Sequence, residues 1–329
     1  MPTHAHTVKP HSIITLCRQG DKRKMEKCQK CKIKLLIVTT ILITFFNTPI
    51  FAVSIDDLNK TVVFIRQQSQ KIIQIDGKPA NLYYRNPESK EYKPIMETSL
   101  GTGFLITFNG RDYLVTAKHV ANTLLPTGEV IMNLPNNKIA IVTFQQLVEA
   151  KIIKGAHWFH HPKADISIHP MFYPFMVDAA AIPEEFYPRV EPDVKLLSPA
   201  YVVGFPLGLG LLDKLSPVAK EAKIASRLTS IADPNIPNDL HFYLLDQALS
   251  QGYSGAPVFY VEDIMSGVSI GNQRMKGGEI LHLLGVQSSA LSDQTGGKIS
   301  IVVPISYIRD ILESTDFQAY IKGLEPNKK

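Results

Sequence analysis

Beyond the first sixty residues the chain reads as short β-type runs broken by turns. Residues 62–66, 71–75, 103–108, 113–116, 139–144 and 166–169 are rich in β-branched and aromatic side chains, and each is predicted as a strand. Between the third and fourth runs sits Asn109-Gly110, the residue pair that best supplies two positive-φ positions, so a tight type I′ hairpin is expected there. Residues 77–97 are polar with scattered proline and read as an exposed excursion. Pro183, Pro188, Pro192 and Pro199 mark a connector over 182–199. Further strands are predicted at 200–203, 242–245, 257–260, 280–287 and 299–303. A helix is predicted over 305–314, where Ile305, Ile308, Ile311 and Leu312 share one face. Many short strands in two halves closed by one helix predict an all-β chain of two packed small barrels. The expected boundaries are 53–190 and 191–315, with a polar tail over 316–329.

The N-terminal segment changes how the composition is read. The whole chain of 329 residues carries a formal charge of +5, which would suit a polyanion partner. Residues 1–52 hold nine Lys or Arg and two acids, a net of +7. The remaining 277 residues carry 26 bases and 28 acids, a net of −2, so nucleic acid is not an expected partner. Residues 35–46 form an apolar run preceded by Lys27, Lys30, Lys32 and Lys34 and followed by Asn47, Pro49 and Ala52. These are the parts of a secretory signal, expected to end after Ala52, with Met25 as an alternative start. A periplasmic or secreted protein is therefore expected; the alternative is a membrane anchor over the uncharged residues 35–55. All three cysteines, Cys17, Cys28 and Cys31, precede Ala52, which leaves a body without disulfides, cysteine nucleophiles or thiolate ligands.

Three segments carry chemistry, and their order matters more than any one of them. They are Thr116-Ala117-Lys118-His119-Val120, His161-Pro162-Lys163-Ala164-Asp165-Ile166, and Gln251-Gly252-Tyr253-Ser254-Gly255-Ala256-Pro257. They resemble the His, Asp and Ser boxes of trypsin-like serine peptidases, in particular the disulfide-free, bacterial HtrA-like branch, here without a PDZ domain. Gly101-Thr102-Gly103-Phe104, Val203-Gly204-Phe205-Pro206, Leu284-Gly285-Val286 and Ile301-Val302-Val303-Pro304 extend the resemblance over roughly residues 56–315. It implies two six-stranded antiparallel barrels and an exported endopeptidase acting on polypeptides through His119, Asp165 and Ser254.

The chemistry explains the residue types. A serine hydroxyl needs a base within reach to take its proton, and a carboxylate to hold that imidazole in the right tautomer. A Gly-x-Ser-Gly turn lets backbone N–H groups converge, and the oxyanion hole is assigned to those of Gly252 and Ser254. By resemblance, Ala248 floors the primary specificity pocket, and Gln287, Ser288 and Ser289 line an edge where a peptide adds as a strand. Tyr253 stands where many activated relatives carry an acid, so activation by a new N-terminus is not expected. An α/β-hydrolase would need Ser, acid, then His; Asp263, Glu279 and His282 come after Ser254, but Ala256 breaks Gly-x-Ser-x-Gly. His157, His160 and His161 around Trp158 read as a surface strand, with no metal or cofactor expected, and Lys118 as a solvent-pointing residue without a role. A catalytically weak peptide-binding or chaperone module and an esterase using the same three residues remain as alternatives.

Overall fold

The computed structural model describes residues 58–323, apart from 136–137, 150–156, 172, 174–175, 188–189, 211–213, 232–235, 238, 265–268, 271–272, 275–277 and 293–296. The signal and anchor segments lie outside the described residues. Among the described residues no helix is long and apolar enough to cross a membrane.

The first lobe is a seven-stranded antiparallel sheet. Its strands are β1 (Val62–Gln70), β2 (Met96–Phe108), β3 (Arg111–Thr116), β4 (Glu129–Asn133), β5 (Ile139–Thr143), β6 (Phe159–His160) and β7 (Ser167–Pro170). They pair in the order β6-β7-β3-β2-β1-β4-β5. Asn109 and Gly110 both take positive φ, 50° and 69°, which sets the two-residue hairpin with Phe108 opposite Arg111. The excursion between β1 and β2 folds into two exposed hairpins, Ile72–Ile75 with Lys78–Asn81 and Tyr83–Arg85 with Tyr92–Pro94. Two short helices, α1 (Lys118–Thr123) and α2 (Phe144–Glu149), come after β3 and β5.

The second lobe is a closed barrel of β8 (Pro199–Gly204), β9 (Val218–Thr229), β10 (Phe242–Leu245), β11 (Pro257–Ile264), β12 (Gly278–Ser292) and β13 (Lys298–Pro304). The order is β8-β9-β10-β13-β12-β11, with β11 returning to β8. Inward positions such as Val202, Ile224, Tyr243, Val258, Leu284 and Val302 fill it, each fully buried. Helices α3 (Ser306–Glu313) and α4 (Thr315–Gly323) cover the junction. Ile308, Ile311, Leu312, Phe317 and Ile321 join one cluster with residues of both lobes, including Phe104, Phe159, Phe242 and Ile301.

Three expectations are corrected. Only the second lobe is a closed six-stranded barrel; in the first, no ladder among the described residues joins the edge strands β5 and β6. With two residues, β6 offers too few backbone groups to close a barrel. Residues 316–323, the start of the expected polar tail, lie in a helix, Thr315–Gly323, with Phe317 and Ile321 four apart on one apolar face. His161, expected on a surface strand, is buried.

Candidate active site

Sheet register brings the first two boxes together. Antiparallel β3 and β7 pair with Thr116 opposite Ser167, so the segment leaving β3 meets the segment entering β7. His119 lies three residues beyond Thr116 and Asp165 two before Ser167. Helix α1 has no side-chain cap of its own, which leaves its first N–H groups seeking acceptors. Asp165 supplies one: its Oδ1 accepts the His119 backbone N–H at 2.8 Å. Its Oδ2 lies 2.8 Å from His119 Nδ1 and accepts the Ser288 hydroxyl at 2.5 Å. Burial pushes the Asp165 carboxyl up, but hydrogen bonding and charge at His119, with the Ser288 hydroxyl, hold it below the usual carboxylate range. An ionised carboxylate on Nδ1 selects the tautomer with Nε2 free of hydrogen. The imidazole is half exposed.

The serine box forms a tight turn ahead of β11. Gly252 has φ +99°, and a Cβ there would lie 2.3 Å from the Phe205 carbonyl oxygen, so only glycine fits. At Gly255, φ +86°, a Cβ would meet the Thr102 carbonyl and the Thr116 hydroxyl, both at 2.1 Å. The Gln251 carbonyl accepts the Leu207 N–H at 2.7 Å. The Gly252 and Ser254 N–H groups have no hydrogen-bond partner among the described residues, whereas that of Gly255 donates to Gln287 at 2.7 Å. The Ser254 hydroxyl donates to the Ser288 carbonyl at 3.2 Å, and no hydrogen bond joins it to His119. His119 and Ser254 line one cavity of about 350 Å³ with Glu97, Leu100, Gly101 and Gln251.

Thr102 ties this turn to the first lobe. Its N–H donates to the Ser254 carbonyl at 2.9 Å, and its hydroxyl donates to the Gly252 carbonyl at 2.7 Å. The same hydroxyl accepts the Phe205 N–H at 3.1 Å, and the Thr102 carbonyl accepts the Thr116 hydroxyl at 2.8 Å. Thr102 and Phe205 lie within motifs visible in the sequence, but nothing in a single sequence signals that a threonine will span two lobes.

The remaining expected residues are dispersed. Ala248 is half-buried, and its carbonyl accepts the Lys220 ammonium at 3.0 Å, which sets a cation beside that position. Gln287 is buried and turned inward, its amide donating to the Ser289 carbonyl at 2.9 Å. Ser288 is buried against Asp165, and of the three only Ser289 is exposed. Two of the three side chains are thus internal, and the β12–β13 register shifts between Gln287 and Ala290. Lys118 is not idle: its ammonium donates to the His161 carbonyl at 2.9 Å. His157 packs on Phe159, and His160 Nδ1 lies 2.6 Å from the Ser167 hydroxyl. Among the described residues no group of three His, Cys, Asp or Glu side chains is placed to hold a metal.

No protein-family model and no curated protein matches the sequence. Solved structures do match. The HtrA-type protease AlgW with a decapeptide shares 14% identity over 82% of this chain and 66% of that one, at a TM-score of 0.45. The protease domain of MamO from Magnetospirillum magneticum shares 16% identity over 65% of this chain and 88% of that one, at 0.42. The inactive form of the Rv3671c protease of M. tuberculosis shares 16% over 81% and 92%, at 0.40. The chain spans 62% to 66% of the length of the AlgW chains it matches.

Proposed function

We propose that the protein is an exported serine endopeptidase that cleaves polypeptides through a His119–Asp165–Ser254 triad and an acyl-enzyme. The observation that carries this reading is the convergence at Ser254: a carboxylate-held imidazole on the same cavity, and two N–H groups on the hydroxyl's own turn that have no partner among the described residues. The Ser254 hydroxyl first leaves the Ser288 carbonyl, a neutral bond worth about 0.5–1.5 kcal/mol net. Its oxygen attacks the scissile carbonyl carbon while His119 Nε2 takes its proton. Asp165 stabilises the imidazolium, and the Gly252 and Ser254 N–H groups receive the oxyanion. Collapse expels the amine, which takes the proton from His119, and water then releases the acyl group along the same route. Ala248 is the floor of the primary specificity pocket in this reading, and the Ser288–Ser289 backbone is the strand edge for the substrate. The apolar run before Ala52, on its basic flank, is the export signal.

A second reading, a peptide-binding module without turnover, is favoured by one observation, the engagement of the Ser254 hydroxyl by Ser288 instead of His119. Labelling with a fluorophosphonate, run beside Ser254→Ala, separates the two. The enzyme labels at Ser254 only, whereas the binding module takes up no probe while retaining peptide affinity. Labelling without peptide cleavage indicates an esterase.

A further inference from the structure

Asp165 sits in a short loop, residues 161–166, that one buried imidazole bridges from within. His161 donates its backbone N–H to the Ile166 carbonyl at 3.1 Å, and Ile166 donates to Ala164 at 2.9 Å, which closes residues 161–166 on themselves. Inside the loop, His161 Nδ1 accepts the Ala164 N–H at 2.7 Å and the Lys163 N–H at 3.2 Å. Both bonds need a lone pair on Nδ1, so the neutral ring carries its hydrogen on Nε2, which points to Asp310 Oδ2 on α3 at 3.5 Å. Lys118, the residue before the base, closes the arrangement from α1 by donating to the His161 carbonyl at 2.9 Å and to that of Pro162 at 3.5 Å. The loop holding the carboxylate and the helix holding the imidazole are therefore clasped at His161.

We infer that His161, clamped by Lys118, is a positioning residue for the His119–Asp165 pair, and that proton uptake at its Nδ1 releases the loop and gates activity at low pH. The inference rests on the peptidase reading for its effect on rate and on geometry alone for its tautomer. A protonated Nδ1 would present N–H to two backbone N–H groups, so the clasp cannot hold a charged ring. Every charged or titratable neighbour bears on that balance. Asp310 from α3 favours the charged ring, while Lys118 from α1 and Lys163 within the loop oppose it; the Tyr307 ring of α3 packs 5.0 Å away. Burial leads, and the ring is held below the ordinary imidazole value of 6.5.

The test uses the full chain and three variants. Nitrogen-15 NMR of histidine-labelled protein at pH 7.5 reads the tautomer; the clasp predicts a bare Nδ1 and a protonated Nε2 at His161. A protonated Nδ1 overturns the inference whether or not the protein is an enzyme. Labelling of Ser254 by a fluorophosphonate reads the consequence. His161→Asn keeps an acceptor the same number of bonds from Cα, so it labels within about threefold of wild type, while His161→Phe falls about tenfold to a hundredfold. Lys118→Met, which leaves the loop's own bonds intact, falls several-fold and stands in if His161→Phe does not fold. With two protons involved, the wild-type acid limb approaches a slope of about two in log rate against pH, and that of His161→Asn a slope of about one. Equal slopes, or equal losses for the Asn and Phe variants, overturn the gate. Absence of any labelling in wild type counts against the peptidase reading and leaves the tautomer to decide the clasp.

Discussion

Replacing Thr102 by valine removes one hydroxyl and almost no volume. In the native protein that hydroxyl donates to the Gly252 carbonyl at 2.7 Å and accepts from the Phe205 N–H at 3.1 Å, and Thr102 is wholly buried. Valine leaves both backbone groups without a partner where water does not reach, at about 1–3 kcal/mol each. The expected loss is about 2–6 kcal/mol, or a fall in Tm of roughly 5–20 °C for a domain of this size. Because the freed carbonyl belongs to Gly252, the same substitution loosens one proposed oxyanion donor. Losing such a donor outright costs about 10²–10³ in kcat, so a partial loss of about 10–100-fold is expected with KM little changed. Thr102→Ser keeps both bonds, loses only a methyl group, and retains most activity. Steady-state cleavage of a peptide library pool and thermal melts of both variants make the comparison. If Thr102→Val matches wild type in kcat and Tm while Thr102→Ser is the impaired one, the packing of the methyl, and not the hydroxyl bridge, holds the turn.

Gly255→Ala is expected to fold poorly, since its Cβ would lie 2.1 Å from two oxygens at φ +86°; soluble yield and melting temperature check this. Asp165→Asn should lower kcat by roughly 10⁴ with KM nearly unchanged. The Asp165 carboxyl is held below its ordinary value of 3.8, so the stability it contributes is present above that value and is lost as pH falls through its lower folded value. Chemical denaturation across that range should therefore show a shallower acid loss in Asp165→Asn than in wild type. Ser288→Ala removes a hydrogen bond to the same carboxylate, and the acid limb of stability should move upward in pH. With Lys220 against the Ala248 carbonyl, substrates with Arg or Lys at the cleaved position should turn over at least about tenfold more slowly than those with small apolar residues.

The parts of the site that lie within one run of residues are legible in the sequence. Asn109-Gly110 pins its hairpin by backbone preference alone, and His119, Asp165 and Ser254 stand out because each lies just after or just before a strand in a fixed order. The illegible parts depend on distant partners. Lys118 looks free until the 161–166 loop folds against α1, and His161 looks exposed until α3, nearly 150 residues later, covers it. Strand β9 escapes a sequence reading because its inward positions are Ala222 and Ile224 among charged neighbours, so its alternation carries little β-branched signal. Helix α4 is hidden by its polar composition, although Phe317 is entirely buried. Closure of the first lobe cannot be judged from strand count, because β6 is only two residues long.

Activation of Ser254 as a nucleophile by His119 lies at the heart of the proposed mechanism. It is tested most directly by intact-protein mass spectrometry of the purified chain after incubation with a fluorophosphonate at pH 7.5. One adduct is expected on wild type, mapped to Ser254, none on Ser254→Ala, and strongly slowed labelling on His119→Ala. An unlabelled wild type that melts cooperatively, or an adduct that persists in Ser254→Ala, would contradict it.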